Sequence, residues 1–108
     1  MPLTRSFKET VRARAAADPA FREALLQEAV QALLEGDAET GRGVLRDYIN
    51  ATIGFEELAA KTELPAKSLM RMLGPRGNPQ ARHLLAVLDA LQHATGVRLQ
   101  VRAVGRAA

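Results

Sequence analysis

The chain has 108 residues, of which 47% are hydrophobic, 25% charged and only 4% aromatic, a composition that fits one soluble globular domain of packed helices. It has no cysteine, which excludes disulfides and thiolate chemistry. No apolar run reaches the ~18 residues of a membrane span, so we expect a cytoplasmic protein. The net charge of +3 is uneven: residues 55–108 carry eight basic against four acidic residues, which is typical of a domain that meets a polyanion with one half.

Start and stop signals divide the N-terminal part of the chain into two helices. Ser6 and Glu9 match a capping box, which predicts a first helix that runs to about Ala17. Asp18-Pro19 predicts a new start, with Asp at the N-cap and Pro in the first helical position. Gly36 supplies the stop. The predicted apolar stripe of this second helix consists of Phe21, Leu25, Ala29, Val30, Leu33 and Leu34.

A third helix is predicted between Asp37, as its N-cap, and Gly54. Its buried stripe is predicted to be Val44, Leu45, Tyr48, Ile49 and Ile53. Two short helices follow, near residues 55–62 and 66–73, and the Gly- and Pro-rich residues 74–79 form a loop. Asn78-Pro79 is predicted to cap a last helix that Gly96 closes, with an inner face of Leu84, Val87, Leu88 and Leu91.

The C-terminal tail alternates apolar and polar residues over 97–102, which is the period of a half-buried strand. A lone strand has unpaired backbone groups. A second copy of the chain would pair with it and bury Val97, Leu99 and Val101 across a two-fold axis. Pairing with the segment around Leu3 and a loose tail remain as alternatives.

The predicted fold is therefore all-α, with five to six short helices and a short C-terminal β-strand. The whole chain, 1–108, is predicted to be a single domain. Within it, residues 1–36 form an N-terminal helical extension, residues 37–95 the core and residues 96–103 the dimerisation strand.

The segment from Phe55 to Leu73 carries the strongest motif. Two helices that cross steeply over a tight turn need a small residue where they touch, and Ala59 fits that position. The apolar anchors would be Leu58, Leu64, Leu69, Met72 and Leu73. This spacing resembles the helix-turn-helix of repressor-like regulators, and the resemblance implies that the second helix lies in the major groove of DNA.

The resemblance also assigns candidate DNA contacts. The base-reading positions of the second helix are Ala66, Lys67, Ser68, Met70 and Arg71. Arg71 can pair with guanine O6 and N7, which discriminates by about 1–3 kcal/mol; whether Lys67 reads a base or neutralises a phosphate stays open. In the turn, where such regulators often have a left-handed Gly, this chain has Glu63, whose carboxylate would repel phosphate.

The loop after the second helix offers candidate phosphate contacts, because the start of the next helix presents free amides. The residues predicted to contact phosphate are Arg76, Asn78 and Arg82. The alternative is a solvent-exposed loop with an ordinary helix cap.

A narrower resemblance lies in Leu45–Ala59, in Pro65–Leu73 and in Gly77–Pro79, with Gly36-Asp37 before the third helix. These segments are similar to the antidotes (antitoxins) of bacterial toxin–antitoxin modules. The resemblance implies a homodimeric repressor that binds double-stranded DNA at its own promoter and pairs with a small RNA-cleaving toxin.

Two other function classes compete with DNA binding. The chain offers few side chains that could act as catalytic groups. His83 and His93 lie on helix faces about 80° apart, and Asp89 is predicted to pair with His93 at the surface. We therefore predict no enzyme, no catalytic residues, no cofactor and no metal. The remaining alternative is a helix-turn-helix protein-interaction module without DNA binding, which Glu63 and the Glu56-Glu57 pair would suit.

Overall fold

The computed structural model describes the backbone of residues 5–106 and the side chains of residues 9–106. Within that part of the chain there are six helices and no strand, and no helix is both long and apolar enough to cross a membrane. The helices are α1 (Arg5–Ala17), α2 (Pro19–Leu34), α3 (Ala38–Ala51), α4 (Gly54–Thr62), α5 (Ala66–Met72) and α6 (Ala81–Thr95).

Two aspartates begin α2 and α3, as the sequence predicts. The Asp18 carboxylate accepts hydrogen bonds from the amides of Ala20 and Phe21, at 3.1 and 3.2 Å. The Asp37 carboxylate accepts one from the amide of Thr40, at 3.3 Å. Each bond satisfies an amide that has no partner inside its helix, so both predicted starts are confirmed.

Other predicted boundaries are wrong by a few residues. α1 begins at Arg5, so Ser6 lies inside the helix rather than at its N-cap, and its side chain is outside the described part. α3 ends at Ala51, and Gly54 is instead the first residue of α4. Gly96, with a φ of 70°, does end α6, because its left-handed conformation stops the helix.

The predicted cap of α6 at Asn78-Pro79 is also wrong. The helix begins at Ala81, Gln80 is at the N-cap, and no side chain binds its first amides. Gln80 is extended, with φ −69° and ψ 145°.

One hydrophobic core joins α2 to α6. Its buried members are Leu26, Ala29, Leu45, Tyr48, Ile49, Phe55, Leu58, Leu69, Leu73, Val87 and Leu91. On α3 the predicted stripe is confirmed at its centre, where Leu45, Tyr48 and Ile49 are fully buried, and Val44 and Ile53 pack against the core from its edge.

The predicted stripe of α2 is correct only in part: Ala29 is fully buried and Leu25 packs against the core, but the centre of the buried face lies elsewhere. The buried residues are Leu26, Ala29 and Ala32, whereas Leu34 is 72% exposed. Apolar residues occur on every side of this helix, so their spacing alone does not define which face is inner. Contact with α3, rather than periodicity, decides the buried face.

The predicted strand over 96–103 is not formed by the single chain. Val97 and Leu99 are half buried against the core, and the Leu99 amide donates to the side-chain oxygen of Gln92 at 2.8 Å. Val101 is 91% exposed. Within the described residues no backbone–backbone hydrogen bond involves the tail beyond Gly96, so it lacks the neighbouring strand that a ladder requires. The alternative partner around Leu3 lies outside the described residues.

Candidate nucleic-acid interface

A three-residue turn separates α4 from α5. Glu63 adopts a left-handed conformation there, with φ 59° and ψ 25°, and is the single non-glycine residue in the described part with a positive φ. The Thr62 hydroxyl donates to the Leu58 carbonyl at 2.8 Å and accepts from the Leu64 amide at 3.4 Å. These bonds hold the turn in a conformation that costs a non-glycine residue about 1–2 kcal/mol.

The core anchors α5 along its inner side. Leu58 of α4, Leu69 of α5 and the following Leu73 are fully buried, and Ala59, Leu64 and Met72 pack against the same core. Pro65 precedes α5 in an extended conformation, and its carbonyl accepts a hydrogen bond from the Leu69 amide at 3.0 Å. A proline fits here because its missing amide would have had no helical partner.

The outer side of α5 carries most of the predicted base-reading residues. Lys67, Ser68 and Arg71 are exposed, and Met70 is 46% exposed. Ala66 differs from the prediction, because it is half buried and packs against the core. Its methyl group is therefore less available for contact than the other four side chains.

The loop between α5 and α6 folds back onto the end of α5. The Gly77 amide donates to the Gly74 carbonyl at 2.9 Å. A β-carbon at Gly77 would overlap the carbonyl oxygen of Met72, so this close approach requires glycine. The loop therefore has a tight, defined conformation immediately beside the outer face of α5.

A groove brings the two sets of predicted DNA contacts together. It is lined by Ser68, Arg71, Met72, Arg76, Gly77, Asn78, Pro79, Gln80 and His83. No acidic side chain lines this groove. Arg82 does not line it; its Nε donates to the Gln80 side chain at 3.2 Å. The sequence predictions omitted His83, which is half buried at the groove wall.

The segment that supplies every residue lining this groove carries basic charge only. Residues 64–88 contain Lys67, Arg71, Arg76 and Arg82 and no acidic residue. All four basic residues are exposed. The nearest carboxylate in sequence is that of Glu63, which is also exposed, in the turn before α5.

Two arginines of α3 reach the same region. Arg46 Nη1 donates to the Leu73 carbonyl at 2.8 Å. Arg42 donates from Nε to the Gly74 carbonyl at 3.2 Å and from Nη2 to the Pro75 carbonyl at 3.3 Å. Sequence reasoning missed both residues, although their spacing of four places them on one face of the helix.

His93 lies outside the groove and contacts Asp89 on its own helix. His93 Nδ1 lies 3.4 Å from the Asp89 carboxylate and 2.9 Å from its carbonyl. Both side chains are largely exposed, at 81% and 74%, so an interaction here is weak. Among the described residues no group of three or more His, Asp and Glu side chains could hold a metal ion.

The chain has no significant match to a protein-family model, a curated protein or a solved structure. In the part of the chain that the structure describes, the fold is all-α, with six helices. The features of the molecule that bear on function are therefore the chemistry of the groove beside α5 and the motif resemblance in the sequence.

Proposed function

We propose that the protein is a sequence-specific DNA-binding transcriptional regulator in which α4 and α5 form a helix-turn-helix. The observation that supports this most is the groove at which Ser68 and Arg71 of α5 meet Arg76 and Asn78 of the following loop. Hydrogen-bond donors for bases and for phosphates thus lie side by side, and no carboxylate lies among them. DNA presents this combination of base edges and phosphates along its major groove.

In this proposal α5 enters the major groove with its outer face toward the bases. Arg71 donates two hydrogen bonds to guanine O6 and N7. Met70 offers an apolar contact to a thymine methyl, while Lys67 and Ser68 contact a base or a neighbouring phosphate. Ala66, being half buried, contributes shape rather than a specific contact.

Backbone contacts hold the helix in its position on the duplex. Arg76 and Asn78 bind phosphate from the loop, and Arg82 binds from the first turn of α6. Such contacts raise affinity for any sequence, and each neutralised phosphate makes the affinity more sensitive to salt.

We further propose that the regulator is a homodimer paired through its tails. The backbone from Val97 to Val101 has no ladder partner within the described chain, and Val101 is 91% exposed. A second copy would pair with this open edge and cover the exposed valine. A two-fold dimer would also place two copies of α5 on successive turns of an inverted repeat.

The sequence resemblance extends the proposal to an antitoxin that represses its own promoter and binds a small RNA-cleaving toxin. Glu28, Glu35 and Asp37 line a groove between α2 and the start of α3, an acidic surface that a basic partner would fit. The test is the product of an adjacent reading frame. It should arrest growth when expressed alone and be tolerated when this chain is co-expressed.

The experiment for DNA binding is selection from a randomised duplex library, with the wild type compared with Arg71→Ala. We expect the wild type to recover an inverted repeat and Arg71→Ala to lose its preference at one base pair in each half-site. Arg12→Ala is the matched control, because Arg12 is an exposed residue of α1 and its removal costs the same charge. It should select the wild-type sequence.

A negative result has a defined meaning. If the wild type selects no sequence and binds duplex no better than a neutral protein at ~100 mM salt, the DNA-binding proposal fails. The protein-interaction module then becomes the better reading. Exposed Glu56, Glu57 and Glu63 on α4 and its turn are the feature that favours it, since a protein partner would not repel them as phosphate would.

A further inference from the structure

We propose that Arg42 and Arg46 are positioning residues, which fix the loop after α5 so that Arg76 and Asn78 meet phosphates while Arg71 meets a base. This inference rests on the proposed DNA binding and identifies residues, outside the interface itself, on which that binding depends. The two arginines lie on α3, about thirty residues before the loop in sequence, and are half buried.

The contacts of the two side chains cover three successive carbonyls. Arg46 Nη1 donates to the Leu73 carbonyl at 2.8 Å. Arg42 donates to the next two, those of Gly74 at 3.2 Å and Pro75 at 3.3 Å. Three adjacent residues at the end of α5 are therefore attached to α3, one after the other.

The chemistry of a helix end explains why arginine is used here. The Leu73 carbonyl, at the C-cap of α5, is among those that have no partner inside the helix, and the helix dipole makes this end negative. The carbonyls of Gly74 and Pro75 belong to the loop that follows. A guanidinium supplies a positive charge and several N–H donors in a fixed plane, so Arg42 can bind two carbonyls at once. A lysine keeps the charge but lacks this geometry.

The loop is held on its other side by the close approach of Gly77 to Met72. The Gly77 amide also closes back onto the Gly74 carbonyl at 2.9 Å. Arg76 lies between Pro75, held by Arg42, and Gly77, held against α5. Its side chain is exposed, but its backbone is fixed on both sides.

The arginines are therefore expected to restrict where the Arg76 side chain can reach. Without them Arg76 would keep its charge and lose its defined position beside Arg71. Binding would then require the loop to be ordered at the moment of contact, which weakens affinity. We expect a loss of roughly 3- to 30-fold, with the dependence on salt reduced by about the contribution of one phosphate.

The first measurement is hydrogen exchange of the Gly74 and Gly77 amides in the Arg42→Lys/Arg46→Lys variant, without DNA. Both amides should exchange faster than in the wild type, because the loop opens more often. Arg22→Lys is the matched control: Arg22 Nη1 donates to the carbonyls of Ala15 and Ala16, at 2.8 and 3.0 Å, at the end of α1. Arg22→Lys replaces the same kind of side chain at another helix end and should leave the exchange rates of the Gly74 and Gly77 amides unchanged.

The second measurement is a double-mutant cycle on DNA affinity, with Arg76→Ala made in the wild type and in the lysine variant. We expect Arg76→Ala to weaken binding in the wild type and to have little further effect in the lysine variant. Because the net charge is preserved, a lower salt dependence in the lysine variant reports lost positioning rather than lost charge. The single variants Arg42→Lys and Arg46→Lys repeat the cycle if the double variant does not fold.

Each result decides a separate point. Unchanged exchange at Gly74 and Gly77 would show that the arginines do not hold the loop. Faster exchange with an equal effect of Arg76→Ala in both backgrounds would show that the loop does not position Arg76. If the wild type binds no DNA, the proposed function fails and the role in binding fails with it, whereas the exchange result continues to report on the loop alone.

Discussion

The Tyr48 hydroxyl lies 2.7 Å from Thr95 Oγ1, across 47 residues of sequence. The Thr95 hydroxyl gives its single hydrogen to the Leu91 carbonyl at 2.7 Å, so Tyr48 is the donor in this pair. The bond joins the last turn of α3 to the last residue of α6. It satisfies the one polar atom of the largest buried side chain in the core, which would otherwise be costly to bury.

The first prediction concerns stability at alkaline pH. Burial raises the pKa of Tyr48 above its ordinary value near 10, because the charged phenolate is poorly solvated in the core. Below about pH 10 the hydroxyl is protonated in both states and its contribution to stability is complete. As the pH rises through the folded-state pKa that contribution is lost, because the unfolded chain releases its proton first.

The measurement is ultraviolet titration of the phenol, which is unambiguous because the chain has one tyrosine and no tryptophan. The folded protein should titrate at higher pH than the chain in denaturant. Tyr48→Phe is the control for stability, since it should remove that part of the decline above pH 10 which Tyr48 causes. Equal titration in the folded and unfolded states would contradict the prediction.

The second prediction concerns the left-handed residue between α4 and α5. Asparagine adopts this conformation more readily than glutamate, so Glu63→Asn should raise the free energy of unfolding by up to about 1 kcal/mol. In the proposed complex with DNA it should also strengthen binding, because it removes a carboxylate near phosphate. Glu57→Asn is the control, because Glu57 is an exposed acid in the first turn of α4, where negative charge is favourable.

Denaturant unfolding of both variants tests this prediction. Glu63→Asn should be more stable than the wild type and Glu57→Asn slightly less stable. If the two substitutions shift the unfolding midpoint equally, the backbone conformation of Glu63 is not the cause.

The third prediction concerns the close approach of the loop to α5. Gly77→Ala would place a β-carbon on the Met72 carbonyl oxygen, so the loop must move, at a cost of about 1–3 kcal/mol. For Gly43→Ala we expect the opposite, a higher free energy of unfolding. Its β-carbon would lie 3.8 Å from Arg46 Nη2 in ordinary contact, and alanine inside a helix is more favourable than glycine by about 1 kcal/mol.

Thermal or denaturant unfolding compares the two alanine variants directly. The free energy of unfolding should fall in Gly77→Ala and rise in Gly43→Ala. Equal stabilities would mean that the loop accommodates a methyl group without strain.

The fourth prediction concerns the proposed pairing of tails. Val101 is 91% exposed in the single chain, so Val101→Asp should leave the fold unchanged and shift the protein from dimer to monomer. Val104→Asp is the matched control, because Val104 is 75% exposed and lies beyond the predicted strand. Sedimentation over a range of concentrations measures both. A wild type that stays monomeric, or two variants that behave alike, would refute the pairing.

Local signals explain which features could be read from the sequence. Asp18 and Asp37 act on amides two or three residues away, so a cap is visible in a short window. The left-handed position of Glu63 follows from the resemblance to the helix-turn-helix of repressor-like regulators, which often have a left-handed Gly at this point of the turn. The buried stripe of α3 can be predicted because its large apolar residues fall on one face of the helix.

The features that the sequence did not predict depend on contacts between residues distant in sequence. Packing against α3 determines which face of α2 is buried. Asn78 and Pro79 carry a cap signal, yet the loop they belong to is held elsewhere and the helix begins at Ala81. Arg42 and Arg46 look like ordinary surface residues of a helix, because the carbonyls they bind are 27 to 33 residues away.

The place of α2 in the core bears on how the chain would be degraded. Leu26 and Ala29 are buried in the same cluster as Leu45 and Tyr48, so α2 is one wall of the core. A protease that removed residues 1–36 would leave that cluster open to water, at a cost large compared with the usual stability of a small domain. Cleavage in the connection between α2 and α3 would therefore expose the remainder to rapid proteolysis, and no truncated form with an intact α5 should accumulate.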